Sequence, residues 1–178
     1  DDYSVTITSK GEESGTLLLS EKGMTFTPNE NGNKLELSVT KDGETRTATL
    51  DVDGTLTYQL DGSISLDEGT VVKIGFEDGV EVTVTANTDA SGTIYLTPEN
   101  GLVVTPASKD AFTVTMTPSA NVTSTYTSIE GTIFYSGGIL TLSDGTSVAG
   151  TLTDPNSTLD TTAKVSGGTA SIQYSTVC

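Results

Sequence analysis

The amino-acid sequence predicts an all-β protein assembled from repeated units of about 39 residues, and three observations carry that expectation. A Gly-Thr dipeptide opens a short apolar run at Gly15-Thr16-Leu17, Gly54-Thr55-Leu56, Gly92-Thr93-Ile94 and Gly131-Thr132-Ile133, and in degraded form at Gly168-Thr169-Ala170. These glycines are about 39, 38, 39 and 37 residues apart, a fixed period of the kind that marks a repeat architecture. Within the units, apolar and polar residues alternate, as in Leu35-Glu36-Leu37-Ser38-Val39-Thr40, so one side of each extended segment is buried and the other wet. Finally, Thr, Ser, Val and Gly dominate, and no stretch holds apolar residues at helical spacing over several turns.

Taken in order, residues 1–14 read as the end of a preceding repeat. Tyr3–Thr8 alternates and is followed by a Lys10-Gly11-Glu12-Glu13 turn. Residues 15–91 form a first block of two units. Its first unit has strands expected at Thr16–Ser20, Met24–Thr27, Leu35–Thr40 and Thr45–Val52, and its second at Thr55–Leu60, Ile64–Leu66, Val71–Phe76 and Val80–Thr85. Residues 92–167 form the second block. There the strands are expected at Thr93–Thr97, Leu102–Thr105, Phe112–Thr117 and Val122–Thr127, then Thr132–Tyr135, Ile139–Leu142, Val148–Leu152 and Leu159–Val165. Residues 168–178 start a further repeat, and 1–178 can also be read as one continuous domain. The segment Gly23–Pro28 mirrors Gly101–Pro106, which points to duplication of a two-unit block of about 77 residues. Asp-Gly and Gly-Gly pairs between the strands supply residues that tolerate the positive φ of tight turns.

Among β architectures, an elongated β-solenoid of four-strand units is the leading expectation, because stacked rungs use small Val, Ile, Leu and Thr and need neither Trp nor disulfides. Tandem Ig-like β-sandwiches, each made from two units, are the alternative; the shortage of bulky inter-sheet residues counts against them. A propeller or barrel comes third. Phrases such as Gly138-Ile139-Leu140-Thr141-Leu142-Ser143-Asp144-Gly145 read like successive rungs. In that respect the chain resembles, by analogy and through no specific family motif, the passenger regions of bacterial secreted adhesins.

Composition narrows the partners. The chain of 178 residues has a formal net charge of −16. Residues 1–89 hold 18 acids against six bases, and residues 90–178 hold six against two. So acidic a surface repels phosphate backbones and anionic head groups, which excludes nucleic acid, and no apolar run approaches membrane-spanning length, so no membrane insertion is expected. The one cysteine, Cys178, is the last residue; it permits no internal disulfide and is given no role. The near-neutral, hydroxyl-rich second half fits a secreted or cell-surface setting.

The absence of histidine removes the usual Ser-His-Asp and Cys-His nucleophile systems and His-based zinc or iron sites. The remaining metal chemistry is calcium. In Asp51-Val52-Asp53-Gly54, alternation puts the Asp51 and Asp53 carboxylates on one side of an extended segment ahead of a turn, and calcium takes several such oxygens at once. Asp67-Glu68-Gly69 and Glu77-Asp78-Gly79 are further acidic corners, although Asp-Gly is also ordinary turn chemistry. Polysaccharide cleavage needs two carboxylates facing each other, for which Glu36 and Glu81 are the first choices. Tyr58, Tyr95, Phe134 and Tyr135 recur at matching positions and read as packing or a ladder before they read as sugar platforms. Asn121-Val122-Thr123 and Asn156-Ser157-Thr158 match the N-glycan acceptor pattern.

The functional expectation is a non-enzymatic extracellular or cell-surface repeat segment acting as a structural stalk or adhesion module. It needs no cofactor, calcium apart, and its partners are other repeats of the same or a larger surface protein and host or cell-wall glycans. A carbohydrate- or calcium-binding module is the alternative, and a carboxylate-based polysaccharide-degrading enzyme the third reading.

Overall fold

In a computed structural model the alternation of the sequence becomes an alternation of burial. Along Glu44–Asp53, Ala48, Leu50 and Val52 are buried while Thr49 and Asp51 between them keep access to water. The structure describes residues 3–10, 15–21, 23–28, 33–77, 79–119, 122–137, 139–153, 156–160 and 162–173. Asp78, Asn121, Cys178 and the Gly11-Glu12-Glu13 part of the first turn lie outside them.

The described chain is all-β, with no helix among the described residues. It runs β1 (Ser4–Lys10), β2 (Gly15–Ser20), β3 (Gly23–Pro28), β4 (Asn33–Lys41), β5 (Glu44–Asp53), β6 (Leu56–Gln59), β7 (Ile64–Leu66), β8 (Val71–Phe76) and β9 (Glu81–Ala86). The second half continues with β10 (Gly92–Thr97), β11 (Gly101–Pro106), β12 (Phe112–Ser119), β13 (Val122–Glu130), β14 (Ile133–Ser136) and β15 (Ile139–Leu142). It ends with β16 (Ser147–Thr153), β17 (Thr158–Asp160), β18 (Ala163–Lys164) and β19 (Ala170–Gln173).

Two antiparallel sheets result. One is ordered β1-β4-β5-β8-β9-β12-β13-β16-β17, with β18 also on β16, and the other β2-β3-β6-β7-β10-β11-β14-β15-β19. After β1 the chain lays a hairpin in one sheet, crosses, lays a hairpin in the other and crosses back, so both sheets grow in chain order. The tight hairpin turns therefore gather at one end of the molecule and the crossings at the other. Both sheets are open, with no closed barrel.

One element departs from expectation. The strand expected over Leu159–Val165 is split into β17 and β18, both paired to β16. Asp160 Oδ1 accepts the Thr162 backbone N–H at 3.1 Å and the Thr162 hydroxyl at 2.7 Å, a side-chain turn that competes with the ladder at that point.

The inner faces meet in one apolar cluster running from Phe26 to Val165. It is largely Leu, Ile and Val, with Phe26, Phe112 and Tyr126 as its bulkiest fully buried members. The outer faces carry hydroxyl pairs across neighbouring strands: Ser38 with Thr47 at 2.9 Å, Thr40 with Thr45 at 2.7 Å and Thr25 with Thr57 at 3.2 Å. Such cross-strand pairs contribute about 0.2–1 kcal/mol each. The Thr content thus stabilises the wet faces as well as keeping them polar.

The sheets are rotated against each other. At the crossing end β7 leads directly into β8. At the turn end Phe76 of β8 packs instead on Tyr135 of β14, with ring centroids 5.1 Å apart and planes tilted by 47°. β14 stands three strands beyond β7 in its sheet. A shift of about 14 Å over a strand of about 20 Å is a crossing of roughly 35°, near the aligned packing angle of two twisted sheets. The rotation brings residues distant in sequence together at the turn end.

Candidate functional site

Asp51 and Asp53 lie on the outer face of β5, on one side of the strand as alternation requires. In the ladder Asp51 is flanked by Lys34 on β4 and Lys73 on β8, so its nearest cross-strand neighbours are cationic. Among the described residues no three Asp, Glu, His or Cys side chains gather as a metal-binding group. The corner at Asp67-Glu68-Gly69 is tied as a turn: the Thr70 N–H donates to the Asp67 carbonyl at 3.0 Å, and the Glu68 N–H to Asp89 Oδ1 at 3.1 Å.

Glu36 and Glu81 share one row across the sheet. Glu36 is opposite Thr49, Thr49 opposite Gly75, and Gly75 opposite Glu81. Three strand spacings, about 14 Å, separate them. Glycoside cleavage uses carboxylates about 5–9.5 Å apart, so the structure does not bring this pair together.

The repeated aromatics divide by face. Tyr58 and Tyr135 point inward, with Tyr135 buried and Tyr58 half-buried against the core. Tyr95 and Phe134 fall on the outer side of their strands. Asn156, Ser157 and Thr158 are exposed just ahead of and within β17.

The turn end holds the most differentiated surface, and two ties organise it around the turn between β10 and β11. Arg46, near the start of β5, donates from Nε to the Thr97 carbonyl at 2.9 Å and from Nη2 to the Pro98 carbonyl at 3.0 Å, with Ser136 Oγ at 3.3 Å. On the other side, Glu99 accepts the Tyr3 hydroxyl at 2.8 Å and pairs with Lys41 Nζ at 3.2 Å, while Lys41 stands 4.8 Å from the Tyr3 ring centre. The Tyr3 hydroxyl bond, seconded by Lys41, holds the Glu99 carboxyl below its usual range.

Clefts flank this turn. One of about 470 Å³ lies over Arg46, Phe76 and Tyr135, with Glu44 and Glu77 also in its wall. A second, of about 440 Å³, opens between Tyr3 and Val39 of one sheet and Tyr58, Leu60, Asp61 and Leu96 of the other. Asp61 shapes its rim. Its Oδ1 accepts the Ser63 N–H at 2.9 Å and lies 2.6 Å from the Ser63 hydroxyl, which hold its carboxyl below the usual range. Burial, and then the Asp61 charge, push the Tyr58 phenol up.

Of the residues that build these clefts, only Tyr58, Tyr95 and Tyr135, among the recurring aromatics, and Glu77, in an acidic corner, stand out in the sequence. Arg46 in particular carries no local motif, since its partners are 51 and more residues away. No protein-family model, curated protein or solved structure matches the chain.

Proposed function

We propose that the chain is a non-enzymatic repeat segment of an extracellular, bacterial cell-surface protein, a structural stalk or adhesion module whose immediate partners are further units of the same kind. The observation that supports this reading is recurrence of tertiary contacts at the spacing of two units. A β-carbon on Gly23 would strike the carbonyl oxygen of Tyr58, and one on Gly101 that of Tyr135, about 77 residues further on. Thr70 bonds Thr55 where the chain enters β6, and Thr146 bonds Thr132 in the same way where it enters β14. Each unit of about 39 residues adds one hairpin to each sheet. A body of this kind lengthens in one direction with every unit and never closes, as a spacer must. The elongation is solenoid-like in growth, with antiparallel hairpins in place of parallel rungs.

The test is to insert a second copy of residues 54–130 directly after Glu130 and measure maximum dimension by small-angle scattering. Four added strands per sheet should lengthen the particle by about 19 Å. An insertion variant that folds but grows only as a compact sphere, by about 6 Å in maximum dimension, would sink the stalk reading.

A further inference from the structure

We propose that the cleft bounded by Tyr3, Tyr58, Leu60, Asp61 and Leu96 is a binding site for a neutral saccharide chain. The inference stands on the cleft alone and does not rest on the stalk reading. Its volume of about 440 Å³ is that of a small-molecule site. Its buried parts are apolar, at Val39 and Leu96, while Leu60 on the rim is 78 % exposed. Tyr58 lines it, and its hydroxyl makes no hydrogen bond to any described residue. Asp61 offers the matching acceptor: Ser63 occupies Oδ1, and the second oxygen accepts no bond from another described residue.

An apolar tyrosine ring with an unpaired hydroxyl, beside a carboxylate oxygen that accepts no bond from another described residue, suits a pyranose, which presents a C–H face and a fringe of hydroxyls. Charge selects among saccharides. The chain carries −16, Asp61 and Glu99 border this end, and Lys41 is engaged by Glu99 and Tyr3. An anionic polysaccharide is repelled, and a neutral one is not.

The experiment titrates the whole chain with cellohexaose and, separately, mannohexaose to about 10 mM, enough to saturate a site with a Kd of about 1 mM. Amide shifts and intrinsic fluorescence are followed; the chain has no Trp, so the fluorescence is tyrosine's. Saturable shifts at Gly62, Leu96 and Thr97 with at least one of the two sugars are expected, with binding weakened about tenfold in Leu60→Asp and in Tyr58→Phe. Leu60 is exposed enough that its replacement leaves the unfolding midpoint unchanged, so loss of binding there reports the cleft. Absence of shifts with both sugars overturns the proposal, as do shifts elsewhere on the surface, undiminished binding in both variants, or saturation of the same amides by a proline-rich peptide with no response to either sugar.

Discussion

Thr70 holds the start of β6 in place through Thr55: its hydroxyl oxygen accepts the Thr55 backbone N–H at 2.9 Å and lies 3.3 Å from the Thr55 carbonyl. Thr146 does the same for Thr132, at 3.1 Å to both the N–H and the carbonyl. Both threonines are buried, so the hydroxyl satisfies a donor at the sheet-to-sheet crossing that water does not reach. Beside each pair a glycine makes room, since a β-carbon on Gly54 or Gly131 would collide with the threonine side chain.

Thr70→Val keeps the shape and removes the acceptor, leaving the Thr55 N–H unpaired. The expected loss is about 1–3 kcal/mol of unfolding free energy, read from urea denaturation, and Thr70→Ser should recover most of it. Equal stability of the Val and Ser variants would show that the site depends on packing alone.

Two glycines should respond with opposite sign. Gly101 has φ +73°, and a β-carbon there meets the Tyr135 carbonyl and the Ser136 side chain. Gly101→Ala therefore adds a collision to a left-handed backbone penalty of about 1–2 kcal/mol. Gly75, in the interior of β8 between Thr49 and Glu81, has open space and no positive φ. Gly75→Ala is expected to stabilise by about 0.5–1 kcal/mol, because glycine in a strand interior loses the most backbone entropy on folding. Thermal unfolding of the two variants beside the parent checks both signs.

The strands were legible because alternation is written locally: Leu35, Leu37 and Val39 are buried where the pattern places them. The division of Leu159–Val165 was not, because it turns on the side chain of Asp160 bonding Thr162, which the apolar pattern does not register. The two faces of the repeated aromatics were missed for a related reason. Tyr58 and Tyr95 sit at offsets of four and three from their glycines, and one residue of register sends a side chain to the opposite face. The clefts could not be read at all. Their walls come from strands three positions apart in the sheets, joined by rotation of one sheet on the other, which leaves no signal in sequence spacing.

Arg46 ties the two sheets at the turn end. Its planar fork serves the Thr97 and Pro98 carbonyls at once, a geometry an ammonium does not reproduce. Arg46→Lys should cost about 1–3 kcal/mol and raise hydrogen exchange at the Asn100 amide, whose N–H donates to Thr97 Oγ1 in the same turn. Unaltered exchange there would mean that the turn is held by the Tyr3, Lys41 and Glu99 group instead.

Acid should release the Asp61 turn. The Ser63 hydroxyl, and after it the Ser63 N–H, lower the Asp61 pKa from its ordinary value of 3.8. A carboxyl depressed on folding contributes stability that is fully present above the unfolded value and is lost as pH falls through the folded one. Other acids obscure this in the whole molecule, because protonating a chain of charge −16 also relieves repulsion. The informative quantity is the difference between the parent and Asp61→Asn, measured by thermal unfolding from about pH 6 to pH 2.5. That difference should be constant above about pH 5 and shrink below about pH 4, while the Ser63 amide resonance of the parent shifts over the same low range. Parallel profiles across the whole range would show that the Ser63 bonds do not favour the charged form of Asp61.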